Sequence, residues 1–431
     1  MDKTATFRLV IGMVIALFLP SAVGIRWANA QTGGPSTADL SHILENKDLQ
    51  TLGEKLFFDE NLSVPSGQSC STCHAPEAGW SGPDGKINRA GAVYPGAIHD
   101  SFGNRKPPSA AYATLARLFH LEKEGDDILF VGGNFSDGRA TGWKLSNPAA
   151  GQAQGPFLNP VEQNMPDEKA VIDKVLRSDY RRLFRKVSNE IWGIKRIRKE
   201  ENVDMAFGII GLAIAAFEHS EKVNQFTSKY DYYLKGRVDL TPREKQGLEL
   251  FEGKGKCAEC HPSKPGPNGE PPLFTDFTYD NLGIPKNTLN PWYSMPRSHN
   301  PDGPSWVDPG LADFVKDVPQ YAMFVSRTYG KHKVPTLRNV DKRPFEGFVK
   351  SYGHNGYFKS LRDIVHFYNT RDVLPLCEAR KEPKPGVNCW PAPEVMQNVN
   401  KEELGDLKLS PEEEGDIVEF LKTLSDGYKL P

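Results

Sequence analysis

"GQSCSTCHAP", Gly67 to Pro76, and "GKCAECHPS", Gly255 to Ser263, carry the same unit, Cys-x-x-Cys-His, at two distant places in one chain. The unit suits covalent haem attachment. Each thiol adds across one haem vinyl group, while the histidine, about a helical turn beyond the first cysteine, reaches the iron. Cys70, Cys73 and His74 form one candidate haem c site, and Cys257, Cys260 and His261 form the other. Zinc held by four thiolates is the competing reading of two Cys-x-x-Cys pairs, but a histidine follows each pair directly, which favours haem. A thioredoxin-like redox role lacks the alternating strand and helix pattern it needs.

The surroundings of the two units also repeat. "LGEKLFFDENLSVPSGQSCSTCH" and "REKQGLELFEGKGKCAECH" each place a charged helical segment bearing Leu and Phe before a Gly-containing turn and then the motif. This predicts a duplicated plan. Between them, "VDMAFGIIGLAIAAFEHSEKVNQF", Val203 to Phe226, is dense enough in apolar residues to predict a helix buried around most of its circumference, closing a first domain. Beyond it, Thr241 and Pro242 have the form of a helix N-cap and first helical position. The boundary is placed near Gly236, giving domains at residues 31–236 and 237–431. Pro262 to Val318 is rich in Pro, Gly, Asn and Asp and predicts a long irregular excursion over the second site. A last helix starts at Ser410 with acids in its first turn. Convincing strands are few, so the expected fold is mainly α: two cytochrome c-like haem domains with long irregular loops.

The 431 residues exceed the usual size of a single core, and a net charge of -2 from 53 basic and 55 acidic residues gives no reason to expect nucleic acid or an anionic membrane as partner. Lys3 and Arg8 precede an apolar run from Leu9 to Gly24, and Ala28 to Ala30 has the small-x-small form of a cleavage site. Residues 1–30 therefore read as a signal peptide directing export to the periplasm. Pro20 interrupts the short apolar run, so an uncleaved anchor is the weaker reading and no stable membrane span is expected after cleavage. Cys377 and Cys389, the two cysteines outside the motifs, are expected to form a disulfide in an oxidising compartment.

With these motifs stand "FGNRKPPSAAYA", "FSDGRA", "QAQGPFLNPVEQNMP", "AIAAFE", "KVPTLRNV" and "YGHNG" followed by "SLRDIVHFY". In that order they resemble the bacterial diheme cytochrome c peroxidase and MauG superfamily over most of the chain after residue 30. The resemblance implies that hydrogen peroxide meets iron at the first haem and that the second haem holds or relays an electron. It makes Glu162, in "NPVEQ", the catalytic acid–base, since splitting a peroxide needs a group that takes a proton from one oxygen and returns it to the other. Gln152 matches a distal-pocket glutamine. The implied cofactors are two covalent haem c groups, with a calcium ion between them left open.

Typical peroxidases of the family ligate the second haem with a methionine fourteen residues after the histidine of the His-x-Gly segment; counting from His354 gives Tyr368 here, as in MauG. A thioether raises the iron potential, whereas a phenolate favours oxidised iron. Met295 and Met323 are the alternative ligands, with Tyr368 then a packing aromatic. Ser136 stands where the family usually has a tryptophan between the haems, and Trp143 is either its substitute or a packing residue. His99 lies in the interval where typical peroxidases cap the first haem, and a solvated loop histidine is its other reading. His120, His219, His299, His332 and His366 have no motif that gives them a role.

Three functions compete on this reading. The first is peroxide reduction with electrons from a small redox protein, a cytochrome c or cupredoxin; the second is MauG-like oxidation of tryptophan or tyrosine in a partner protein. The third is a plain diheme electron carrier. A homodimer is left open.

Overall fold

The computed structural model describes residues 42–431, position 126 excepted, so the expected signal peptide lies outside the described residues. The principal helices are α1 (Lys47–Phe57), α2 (Pro148–Leu158), α3 (Glu168–Val175), α4 (Arg181–Trp192), α5 (Val203–His219), α6 (Pro242–Glu252), α7 (Leu361–Thr370) and α8 (Pro411–Lys422). Strands are few and short. β1 (His120–Glu124) and β2 (Asp127–Val131) form an antiparallel hairpin pairing His120 with Val131 and Glu124 with Asp127, and β3 (Tyr279–Asp280) pairs antiparallel with β4 (His332–Lys333). The chain is mainly α, as expected.

Two hydrophobic clusters organise it. In the first, α1 and α2 pack on α5, with Leu52, Leu56, Phe57, Ala153, Phe157 and Phe217 among the buried residues. In the second, α6 packs on α8 beside α7, burying Leu250, Phe251, Phe367, Phe420 and Leu421. Both helix crossings are made by a glycine at matching places in the repeated sequence. A methyl on Gly53 would lie 1.7 Å from Ala213 O and 2.9 Å from Phe217 Cβ; one on Gly247 would lie 1.9 Å from Asp416 O and 2.9 Å from Phe420 Cβ. Backbones that close admit no side chain. Three residues on, Leu56-Phe57 and Leu250-Phe251 turn into the two clusters, and both phenylalanines reach the cavity between the motifs. The duplication read from sequence is thus a duplicated helix crossing.

Several local expectations are met. Thr241 caps α6 through a capping box with Glu244, and Ser410 caps α8 through one with Glu413, each with proline at the first helical position. Cys377 and Cys389 form a disulfide. The segment 262–318 is largely irregular, broken by short helical turns.

The central helix differs from its expected span. It stops at His219 rather than Phe226, because Ser220 turns to an extended backbone and its hydroxyl donates back to Phe217 O at 2.6 Å. Although α5 is long and apolar enough by composition to cross a membrane, it is buried in the first cluster from Ala206 to Glu218. The hydrophobic changeover falls between Phe226, on the first cluster, and Tyr230, in the second, slightly before Gly236.

Candidate functional site

One continuous cavity of about 400 Å³ is lined by both Cys-x-x-Cys-His units. In each unit a short helical turn carries the cysteines, Cys70–Thr72 in one and Cys257–Glu259 in the other, and the histidine amide then bonds back to the first cysteine carbonyl. His74 Nδ1 faces Trp80 O at 3.3 Å, and His261 Nδ1 faces Phe274 O at 2.7 Å. A carbonyl partner fixes the proton on Nδ1 and leaves Nε2 as a free electron pair. Burial lowers the pKa of both rings, His261 to about 4, so both stay neutral, as an iron ligand must be.

These residues fit haem. Burial pushes all four thiols up, Cys73 and Cys257 to about 12, which disfavours the thiolates a zinc site needs; thioethers would carry no charge at all. The carboxyl groups of haem need cations, and Lys106 stands in the cavity wall with one long contact, to Pro107 O at 3.5 Å. Gln68 Oε1, Gln163 Oε1 and Glu218 Oε2 are buried in the same wall without a partner among the described residues.

Glu162 lies in this wall, on the side of the first unit, where its charge acts on Cys73 and Cys70. It follows α2, whose last turn ends at Asn159. Burial raises its pKa, while Arg139 and a hydrogen bond from Asn159 work the other way. Gln152, on α2, lines the same cavity. Glu162 and Gln152 are therefore brought together with Cys70, Cys73 and His74.

At the second unit the cavity is lined by Tyr368, from the inner face of α7. Burial and the nearby Cys257 and Cys260 thiols raise its pKa well above that of a free phenol. Neither alternative ligand reaches the cavity: Met295 is buried elsewhere, and Met323 is 80% exposed. Of the three, only Tyr368 is brought to the second unit.

Ser136 also lines the cavity, and its carbonyl accepts the Lys333 amide at 2.8 Å. Trp143 lies away from the cavity, packed against Phe119, Phe314 and Tyr321 with its indole N–H on Phe119 O, which is the packing reading. His99 is not brought to the site. Its side chain is 92% exposed beside Asp100, and in this arrangement it is a solvated loop histidine rather than a cap.

Several cavity residues had no role from sequence. Glu218, the last residue of "AIAAFE", is buried with an unpartnered oxygen, and burial raises its pKa to about 8. Arg338, in "KVPTLRNV", is fully buried against Asp231 at 2.9 Å. His332 and His354 stack at 3.6 Å beside Asp308, which Arg105 holds with two hydrogen bonds of 2.7 and 2.6 Å. Asp308, His332 and His354 are the one grouping of three metal-type side chains found among the described residues. The two rings are nearly parallel, so their in-plane electron pairs lie in separate planes and do not converge on one ion.

Two Cys-x-x-Cys-His units on one cavity, with a buried carboxyl at the first, define the class: a two-haem redox enzyme. The model of the di-haem cytochrome c peroxidase family matches residues 47–239. The methylamine utilization protein MauG of Paracoccus denitrificans is 33% identical over 390 residues, 89% of this chain and 90% of that protein. The cytochrome c551 peroxidase of Nitrosomonas europaea is 32% identical over 328 residues, 74% of this chain and 72% of its own length. Among solved structures, the diheme peroxidase BthA of Burkholderia thailandensis superposes with a TM-score of 0.68 at 28% identity, covering 88% of this chain and 86% of BthA. The chain belongs to the di-haem cytochrome c peroxidase and MauG family, oxidoreductases that act on peroxide with two haem cofactors.

Proposed function

We propose that this protein reduces hydrogen peroxide at the haem held by Cys70, Cys73 and His74, and withdraws the electrons through the haem held by Cys257, Cys260 and His261 from a tryptophan or tyrosine side chain of a partner protein. The observation that carries this reading is Tyr368 in the cavity wall at the second unit, with both candidate methionines elsewhere. On binding iron Tyr368 would give up the proton that burial otherwise retains, and a phenolate partner favours the oxidised forms of a haem, which suits taking electrons from a side chain that is hard to oxidise. Bound haem supplies the iron that meets peroxide and the redox equivalents. The haems are proposed to be covalent c-type groups, one to each half of the chain, with the halves divided near Gly236. Export by residues 1–30 would place the protein in the periplasm with no membrane span left after cleavage. A monomer or a homodimer is compatible with this reading.

The chain's own part is to hold the irons and move protons. His74 and His261 are held neutral and oriented by Trp80 O and Phe274 O. Glu162 takes a proton from one peroxide oxygen and delivers it to the other, and burial, which raises its pKa, makes it a better proton acceptor than an exposed carboxylate. Gln152 supplies an amide to the same pocket. Reduction of one peroxide to two waters consumes two electrons and two protons, and oxidation of the partner side chain by loss of two electrons and two protons supplies both.

The second reading is a peroxidase fed by a small cytochrome or cupredoxin, and the 32% identity with the cytochrome c551 peroxidase favours it. Two experiments decide. Glu162→Gln is expected to lower peroxide consumption by roughly 10² to 10⁴ while leaving the haem absorption spectrum intact; an unchanged rate removes Glu162 from the chemistry. Mass spectrometry of proteins captured with the enzyme is expected to find a peroxide-dependent change at tryptophan or tyrosine. No such change, together with rapid turnover on a reduced cytochrome, moves the assignment to the second reading.

A further inference from the structure

Calcium between the haems is what the family resemblance leaves open, and the walls where the two halves meet test whether it fits. Calcium needs six to eight oxygen ligands, largely carboxylates and carbonyls. A set of carbonyls at this junction is already taken by lysine ammonium groups. Lys350, buried in the cavity wall, donates to Ala78 O at 2.7 Å, Lys342 O at 2.9 Å and Asn339 O at 3.0 Å. Ala78 belongs to the turn just after the first haem unit, and the other two belong to the "KVPTLRNV" segment and its continuation. Lys359 repeats the arrangement on Gly356 O at 2.7 Å and on Asn88 O and Ala90 O, both at 2.8 Å. Lys333, on β4, reaches Gly133 O at 2.5 Å and Asn134 Oδ1 at 2.9 Å. Each lysine comes from the second half of the chain and grips oxygens of the first.

The alternative ligands do not suit calcium. At the Asp308 cluster the carboxylate is bound by Arg105, the Glu394 carboxylate 3.9 Å from His354 Nε2 already accepts from Tyr293 Oη at 2.9 Å and Asn355 Nδ2 at 3.4 Å, and the other groups are imidazole nitrogens. The cavity side of the junction also carries the amino groups of Lys106, Lys333 and Lys350, which offer a divalent ion no oxygen ligand.

We infer that tethered ammonium groups, above all those of Lys350 and Lys359, take the structural place of a calcium ion here, joining the two haem-bearing halves through backbone carbonyls. Three acceptors around one nitrogen require three N–H bonds, which the ammonium has and the neutral amine lacks. Burial, and after it the neighbouring Lys106 charge, pull Lys350 down to about 7 while Asp341 opposes them; three carbonyl acceptors around the nitrogen are a hydrogen-bonding arrangement that favours the protonated form. The inference concerns how the halves are joined and holds for either substrate reading.

The test uses the holoprotein purified without added calcium. Elemental analysis is expected to find far less than one calcium per chain, and dialysis against EGTA followed by calcium addition is expected to move neither the haem absorption bands nor the melting temperature. One calcium per chain whose removal shifts either quantity overturns the inference. Lys350→Met is expected to lower the melting temperature by about 5 °C or more, because it strands three carbonyls at the junction. Melting like wild type would overturn the clamp. The wild-type chelation result stands on its own if the variant fails to fold.

Discussion

Glu218 gives the most quantitative prediction. It is buried at the end of α5, one carboxyl oxygen has no partner among the described residues, and burial raises its pKa from 4.5 to about 8. In the unfolded chain the carboxyl ionises near 4.5, whereas the folded protein keeps it protonated until about pH 8. Between these values the native state binds one more proton than the unfolded state, so stability falls as pH rises. The extra stability is fully present below pH 4.5 and gone above about pH 8. At 1.36 kcal/mol per pH step, the folded state gives up about 3 kcal/mol by pH 7 and roughly 4 to 5 kcal/mol by pH 8. Glu218→Gln removes the titration and keeps the shape. Its amide adds a pH-independent offset, so the slope rather than the offset is the test. Guanidinium unfolding of wild type and variant holoprotein, followed at pH 5, 6, 7 and 8, is expected to show the variant gaining on wild type by a few kcal/mol across the range. A stability difference that stays flat with pH would refute a buried, protonated Glu218.

Three further predictions concern the frame of the site. Arg338→Met leaves Asp231 buried and unpaired, and also removes a guanidinium packed on the Phe226 ring at 4.5 Å and the Tyr112 ring at 5.0 Å. The expected loss is about 3 to 5 kcal/mol in denaturant unfolding, and adding Asp231→Asn should recover part of it. Gly53→Ala and Gly247→Ala should each cost on the order of 2 kcal/mol or more, since their methyls meet backbone carbonyls. Gly151→Ala, on α2 with open space at that position, should be neutral or slightly stabilising by thermal melting.

The parts of the structure legible in the sequence were those with short-range rules. Capping residues, the two haem units and the dense apolar run of α5 each specify local structure through neighbours a few residues away. The end of α5 was missed because "HSEKVNQF" keeps an apolar residue at helical spacing, while a single Ser220 hydroxyl turns the chain. Glu162, Gln152 and Tyr368 were found through motif and count, and the fold brings them to one cavity with the haem units. Glu218 was hidden because a glutamate at a helix end is most often solvated. The lysines were hidden for the same reason: what sets Lys350 and Lys359 apart is a ring of carbonyls from distant segments, and backbone oxygens leave no trace in a side-chain pattern.

The most direct test of the central claim is low-temperature electron paramagnetic resonance of the fully oxidised holoprotein, as wild type and as Tyr368→Met, with potentiometric titration of both. If Tyr368 partners the second haem, one ferric signal changes on substitution, that haem's potential rises by roughly 0.1 V or more, and the other haem keeps its signal. Identical spectra and potentials in the two proteins would contradict the account and return Tyr368 to a packing role.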